Sequence, residues 1–526
     1  MFTTNCTRRK LAQWLGGALV WGCILGAALI ARPAEGKASP KKSAVVVVQA
    51  TSACAVVDRG YAASRAKWTQ RSLSEGGITA ALVGDGALAR DLAGRQLALL
   101  VTCQQPTAGQ LAALNAFRAR GGKIAVLQSY SPALAAFMGV AGPQAVPSRT
   151  LPVSVMPAKG GWWSVNIFTS DDEEDAKIRC LLTLVDQSVP KSGAVARWEA
   201  KRQARLAAAR AKAQALPPRP GEIHAVWDHT GEGLYPGDWP RTLRILRTNG
   251  VTDLFVNVAG AGFAHYPSKV LPASTVVAAR GDQLAACLAA ARGTGVRVHA
   301  WVLCFNATRG SPARLAALEK QGGRLKDAAG RLTPYLDPSN ANVRWMLLTA
   351  IDELAVRYPT LAGVHLDFVR WYEKAAGKPK NPARSVETFV ESVRARLRAK
   401  GPRLWLTAAV FPKHPSCVAS VGQDWERWLA RGLVDYVVPM NYFENAKTCA
   451  AVVAHQGRAP AQASRVISGI GVTANESRLG AGQVVDQIAA ARRAGLAGVA
   501  LFDLDRTLAL QILPLLQLGA FRSMEN

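Results

Sequence analysis

Acidic and aromatic side chains that follow directly on short apolar runs are the residues of this chain best placed to do chemistry. Asp367 closes the run Gly363-Val-His-Leu-Asp367, with Arg370 and Trp371 just after it. Asp228, His229 and Glu232 follow another run. His265 and Tyr266 follow a Gly-rich stretch, Trp301 and Asn306 stand at a third run, Asn441, Tyr442 and Glu444 at a later one, and Asp503 and Asp505 at the last. Paired carboxylates in such positions suit general acid–base or nucleophilic work on a glycosidic bond, and aromatic rings suit the apolar faces of sugars. A carboxylate at the end of an apolar run is costly to bury without a use or a partner. Arg370 is the partner that would turn Asp367 into a structural ion pair instead. Asp503 and Glu444 read equally as solvated loop carboxylates, and His299, inside a run, reads as a satisfied core histidine.

The elements that must position these residues have a regular rhythm. Eight apolar runs, at 223–227, 253–258, 297–303, 363–368, 404–410, 436–440, 466–470 and 498–502, are each followed by a helix-compatible stretch. Strands alternating with helices predict a parallel sheet, and eight such units over about 300 residues fit a closed (β/α)8 TIM barrel, whose active sites lie at the C-terminal strand ends. Gly250, Gly295 and Gly495 stand where helices should stop. Upstream, apolar runs at 44–48, 78–83, 97–101 and 123–127, with an amphipathic segment at 108–120, predict a small α/β domain over residues 43–185 with a parallel sheet. It is similar to the flavodoxin-like or glutamine-amidotransferase-like accessory domains that precede some carbohydrate-active barrels. Residues 186–220 read as a linker helix rich in Ala, Arg and Lys, ended by Pro217-Pro218-Arg219-Pro220. The barrel occupies 221–526.

The chain has 526 residues, of which 49% are hydrophobic, enough for large cores, and a formal net charge of +28. Residues 1–42 carry seven basic and one acidic residue, so +22 remains beyond them. Such a charge favours polyanions, among them anionic glycans. Nucleic acid is not expected, because no recognition motif accompanies the charge. Thr7-Arg8-Arg9-Lys10, an uncharged apolar stretch over 11–30 and a small, polar segment up to 38 follow the signal-peptide pattern. The apolar stretch is also long enough to stay as a membrane tether. Either way the chain is expected to be exported, to the periplasm or cell envelope. Nine cysteines include no Cys-x-x-Cys pair, so no zinc site, other metal or cofactor is expected. Cys417 and Cys449 follow neighbouring predicted strands and could pair. Cys103 follows a strand, but no His/Glu pair at a useful spacing makes it a nucleophile.

Five segments together resemble the glycosyl hydrolase-like 10 family: Glu222-Ile-His-Ala-Val-Trp227; His265-Tyr-Pro-Ser268; Gly295-Val-Arg-Val-His-Ala-Trp301; Tyr335-Leu-Asp-Pro338 with Gly363-Val-His-Leu-Asp-Phe-Val-Arg370; and Leu433-Val-Asp-Tyr-Val-Val-Pro-Met-Asn-Tyr442. The resemblance covers most of the barrel and none of the upstream domain. It implies a bacterial-envelope barrel acting on glycan strands such as peptidoglycan, with Asp367 near the reaction centre. The sequence departs from the family pattern at Phe368, where a second acid is usual, and at Ala290-Ala291 and Asn257-Val258-Ala259. Asp367 is then expected as nucleophile, base or electrostatic stabiliser, and one of Asp228, Glu232, Glu444 or Asp503 as general acid. Arg370, Trp371, His265, Tyr266, Trp301, Asn306, Asn441 and Tyr442 are expected to bind the sugar. The competing expectation is a non-catalytic glycan-binding or scaffold protein on the same barrel, since a fold does not fix function.

Overall fold

A computed structural model of the chain describes residues 43–55, 58–129, 131–141, 155–164, 167–168, 174–401 and 403–523. The expected signal or tether at 1–42 lies outside them. The eight apolar runs form eight parallel strands: Ile223–Asp228, Asp253–Gly260, Arg297–Leu303, Gly363–Asp367, Trp405–Val410, Tyr436–Pro439, Ile467–Gly471 and Gly498–Phe502. They pair in that order, and the eighth returns to the first, Gly498 opposite Ile223 through Phe502 opposite Trp227. Between the sixth and seventh strands the pairing thins to the bridges Val437–Val466 and Met440–Gly469. The sheet is therefore a nearly closed barrel with one thin seam.

Burial on both faces explains why these strands read as unbroken apolar runs. Inward-facing Ile223, Ala225, Trp227, Phe255, Trp301 and Ala500 belong to one core. Outward-facing Val226, Leu254, Val256, Val364 and Leu366 pack under the helices in a second, larger one. Three polar residues in the barrel interior bond to one another. The Trp227 indole N–H donates to His365 Nε2 (2.9 Å), so the His365 proton sits on Nδ1 and goes to Thr407 Oγ1 (2.8 Å). Burial drives the His365 pKa well down and keeps the ring neutral.

Upstream, six strands form a second sheet in the order second, first, third, fourth, sixth, fifth. Four are Val45–Gln49, Ala80–Gly84, Leu97–Val101 and Lys123–Leu127, and a terminal pair, Met156–Ala158 antiparallel to Gly161–Ser164, escapes the sequence patterns. The loop after the first strand points the amides of Thr51, Ser52 and Ala53 at the Asp85 carboxylate. An amide nest of this kind is where such sheets commonly bind anions, and here the chain fills it itself. Cys103 is buried, which pushes its thiol up to about 12, a value that suits an inert core cysteine.

Two expectations change. Cys417 and Cys449 are both buried free thiols, and the Cys417 Sγ–H is turned to the Gln423 carbonyl instead (3.2 Å). The helix Ala194–Gln214 is more than a solvated linker. At one end Ala194 and Trp198 enter the core of the upstream sheet, and at the other Ala209 and Ala213 enter the barrel core. Its small residues allow close approach: a Cβ on Gly519 would stand 1.8 Å from the Ala213 carbonyl oxygen. Its basic residues pair with Glu75, Asp175 and Asp486.

The bottom of the barrel is held by Asp253, which accepts from His299 Nε2 (2.8 Å) and, bidentately, from Arg297 (2.9 and 2.7 Å). Burial works to raise the Asp253 pKa, but His299 and then Arg297 outweigh it and hold it at about 2. The Arg297 side chain is 43% exposed, so solvent screens its share and His299 carries most of the interaction. Asp253→Ala is expected to cost about 3–5 kcal/mol. A folded pKa below the unfolded value of about 3.9 contributes stability above that pH, and the contribution is lost on acidification. The Tm gap between wild type and Asp253→Asn should therefore be widest near neutrality and shrink from about pH 4 towards 2, as followed by thermal melts across that range.

Candidate active site

The C-terminal strand ends bring Asp367, Trp301, His229, Tyr442, Phe502, Asp503 and Arg370 to one opening. Asp367 ends the fourth strand beside Leu303 of the third. The Trp301 indole N–H donates to Asp367 Oδ2 (3.2 Å), and the Phe368 amide donates to Oδ1. Burial raises the Asp367 pKa ahead of the opposing pulls of Arg370, the Phe368 amide, Trp301 and His229. His229 leans over Trp301 and Phe502, with ring centroids 5.8 Å from each. Loss of solvent, then Arg309, lowers its pKa, while Asp503 and Asp367 pull it up. The neutral ring is thus the favoured state at pH 7.

Phe368 holds φ at +50°, the left-handed region, where a bulky side chain is a true outlier. Strain of about 1–3 kcal/mol at such a residue persists only where its surroundings impose it. Here the imposed geometry aims the Phe368 amide at Asp367 and lays the ring flat on Tyr335, 4.9 Å away. The Arg370 guanidinium lies between the rings of Phe368 (4.0 Å) and Phe411 (4.3 Å). Its side chain is 11% exposed, and Nε and Nη1 are buried without a hydrogen-bond partner. Its nearest ion-pair partner is Glu373 at 3.9 Å. Among the described residues Arg370 therefore acts on Asp367 through its field and makes no ion pair with it.

Opposite Asp367, the eighth strand places Asp503, whose Oδ1 accepts from Thr473 Oγ1 (2.8 Å). Asp505 caps the next helical turn at Leu508 N (2.7 Å), and burial, reinforced by Asp503, pushes its pKa up to about 6. Tyr442 lies against Phe502, at 5.4 Å, over Gly471 of the seventh strand. A Cβ on Gly471 would come within 2.8 Å of that ring, so only glycine admits it. Burial, then Asp367, Glu476 and Asp503, raise the Tyr442 pKa far above its usual value and keep the phenol protonated. Glu476, an exposed carboxylate on the loop after the seventh strand, acts on both Tyr442 and Arg370 and was missed by the sequence reading. The sequence pattern does not point to it, because the acid sits five positions beyond the end of the seventh strand.

Other expected residues are elsewhere or already engaged. Asp228 is 0% exposed, and its oxygens accept from the amides of Thr230, Gly231 and Gly233 and from Thr230 Oγ1, so it braces its own loop. Glu232 pairs with Arg280. Glu444 is exposed and accepts from the Arg478 amide (3.1 Å). Tyr266 is fully buried and donates to Glu353 (3.1 Å), which also holds Ser268 and Lys269 N, so the Tyr-Pro-Ser turn is clamped to an outer helix rather than offered to sugar. The Trp371 indole is spent on the Pro382 carbonyl (3.2 Å). Asn441, fully buried, bonds Gln456 and Ser468 across the barrel seam (3.0 and 2.9 Å). His265 is buried against Ser274 (2.7 Å) and Arg309, and Asn306 accepts from its own loop at Thr308 N (2.9 Å).

Because burial raises the Asp367 pKa, its charged form weakens the fold, and that penalty appears as pH rises through the unfolded carboxylate range near about 3.9. Asp367→Asn should therefore melt higher than wild type at pH 7. The difference should close below about pH 4, where both side chains are neutral. A lower Tm for the variant at pH 7 would mean that Asp367 is a stabilising ion.

No protein-family model matches the chain, and no curated protein does. Among solved structures it is similar to a class V chitinase from Pseudomonas fluorescens Pf-5, at 14% identity over 57% of this chain and 99% of that one, with a TM-score of 0.38. It is also similar to an endo-1,4-β-mannanase from Rhizomucor miehei, at 10% identity over 55% of this chain and 89% of that one, with a TM-score of 0.39. A family 39 glycoside hydrolase from Bacteroides cellulosilyticus WH2 is 13% identical over 56% of this chain and 57% of its own, with a TM-score of 0.36. The barrel of this chain stands on its own strand pairing rather than on likenesses this distant.

Proposed function

We propose that the chain is an exported glycoside hydrolase of the bacterial cell envelope, cleaving O-glycosidic bonds of a polysaccharide such as peptidoglycan glycan strands. The observation that carries this reading is the placement of Asp367 and Asp503 about one aromatic-walled opening, with His229 and Tyr442 each acted on by both. Asp367, whose pKa burial raises, is the carboxyl assigned to protonate the departing glycosidic oxygen. Asp503, one oxygen fixed by Thr473, acts as nucleophile or as base towards water. Tyr442 and Phe502, each half-buried, offer ring surface to the sugar, and a substrate oxygen supplies the hydrogen-bond partner that Arg370 lacks. Glu476 and Asp505 add negative potential where an oxocarbenium-like transition state becomes positive.

Export, and retention by residues 11–30 if they stay uncleaved, rests on the N-terminal pattern alone. The basic balance beyond residue 42 suits an anionic glycan, and peptide-stripped peptidoglycan exposes lactyl carboxylates. One observation favours a non-catalytic glycan-binding barrel instead: Phe368 stands where the resembled family usually carries a second acid.

The decisive comparison is release of new reducing ends by the purified mature chain and by Asp367→Asn. The substrates are intact peptidoglycan, peptide-stripped strands and a panel of acidic polysaccharides. Wild type should release product from at least one, and the variant at least about a hundredfold less. Equal release by both would remove Asp367 from the chemistry. No release by either, with sedimentation of the chain onto a glycan, would establish the binding reading.

A further inference from the structure

Beside the barrel opening lies a cleft of about 580 Å³, walled on one side by Arg65, Trp68 and Phe168 of the upstream domain and on the other by Tyr235, Asp505 and Arg506 of the barrel loops. We propose that this cleft is a second glycan-binding region, holding the same polysaccharide chain several units away from the bond set between Asp367 and Asp503. The proposal rests on the glycosidase reading for its ligand.

Continuity carries it. The loop after the first strand presents His229 to the candidate active site, and its next residue, Thr230, already lines the cleft. After the eighth strand, Asp503 faces the site and Leu504 lines the cleft. Successive Cα atoms are about 3.8 Å apart, so on two separate loops a single residue step separates the candidate active site from the cleft. A polymer seated at the first passes over the second.

The lining suits a polar chain with apolar ring faces. Trp68 is half-buried and anchored edge-on against Phe168, with centroids 5.6 Å apart at 88°. Its indole N–H is fixed by Glu174. An indole held in this way keeps its orientation at no further entropic cost when a sugar stacks on it. Arg65 carries a buried Nε with no hydrogen-bond partner among the described residues, a donor that a glycan hydroxyl or carboxylate satisfies. Arg506 and Arg478 add positive charge on the barrel wall.

A packing defect between domains would be far smaller, because interiors leave few voids larger than a water molecule. The volume instead falls within the roughly 300–1,000 Å³ of ligand sites, which favour domain interfaces. The helix Ala194–Gln214, seated in both cores, keeps the two walls at a fixed separation.

The test is chain-length dependence of binding by the full mature chain, with peptide-stripped peptidoglycan strands and polygalacturonate as probes, each offered as long polymer and as its disaccharide. Wild type should bind one of the long polymers at least roughly tenfold more tightly than its disaccharide. That ratio should fall to about threefold or less in Trp68→Ala and in Arg506→Ala. The second variant lies on the exposed barrel wall and covers the case in which loss of Trp68 disturbs the upstream domain. An undiminished ratio in both folded variants, or no length preference in wild type, overturns the cleft and leaves the barrel reading untouched. A ratio that collapses in the variants, when wild type releases no product from any glycan, upholds the cleft and overturns the glycosidase reading.

Discussion

A parallel sheet has two unpaired edges, and everything at the mouth of this barrel depends on their being joined. The joint lies between the sixth and seventh strands, where backbone pairing is sparsest, and side chains do much of what the ladder does elsewhere. At the bottom, Arg465 donates to the carbonyls of Leu429 (2.8 Å), Val434 and Asp435 (3.1 Å). At the top, Asn441 donates from its backbone to Gly469 O (2.8 Å) and from its side chain to Ser468 and Gln456, and Gln456 bonds back to Asn441 and to the Pro412 carbonyl. Each of these groups would be costly to bury unpaired. Closing the sheet pairs them, and the same closure sets Tyr442 over Gly471 within reach of Phe502 and Asp503.

That joint also explains which parts of the site the sequence could disclose. Strand number, order and extent were legible because burial on both faces writes each strand as an apolar run. Asp367 was legible because it ends such a run. The upstream sheet was legible as far as its fourth strand, but the terminal pair is too short and too rich in tryptophan and glycine for any periodicity. Side-chain direction was the illegible part. Asn441 stands nearer to its strand end in sequence than Tyr442 does, and Trp371 only one residue farther from its own. Whether a residue past the last ladder bond points into the opening or back beneath it is decided by partners far along the chain: Glu353 for Tyr266, Pro382 for Trp371, Gln456 for Asn441. Neither composition nor spacing discloses that three amides converge on Asp228. The helix Ala194–Gln214 looked solvated because alanine weighs little on hydrophobic scales, yet it is alanine that permits its close packing.

Formal charge reads differently once residues have places. The chain is strongly basic overall, but the candidate reaction centre is acidic: Asp367, Glu373 and Glu476 act on Arg370, and Asp503 and Asp367 act on His229, which is held towards neutrality. An anionic group on the reacting ring would meet net repulsion there, whereas a ring gaining positive charge would be stabilised. The cations lie outward, with Arg309 against His265 and Arg65, Arg478 and Arg506 along the cleft. A glycan bearing carboxylates is thus best accommodated with its charged groups over the flanks and an uncharged face over Asp367.

Phe368 joins the backbone constraint to this electrostatic one. Its left-handed backbone is imposed from two sides, by the amide held to Asp367 and by the ring held between Tyr335 and Arg370. An acid at this position would bring another negative charge beside Asp367. It would also remove one of the two rings that enclose the Arg370 guanidinium. With phenylalanine there, Arg370 stays desolvated, and two of its nitrogens stay without a hydrogen-bond partner among the described residues. A departure that looks like loss of a catalytic group in a row of letters is, in three dimensions, what leaves a buried cation available to something other than the protein.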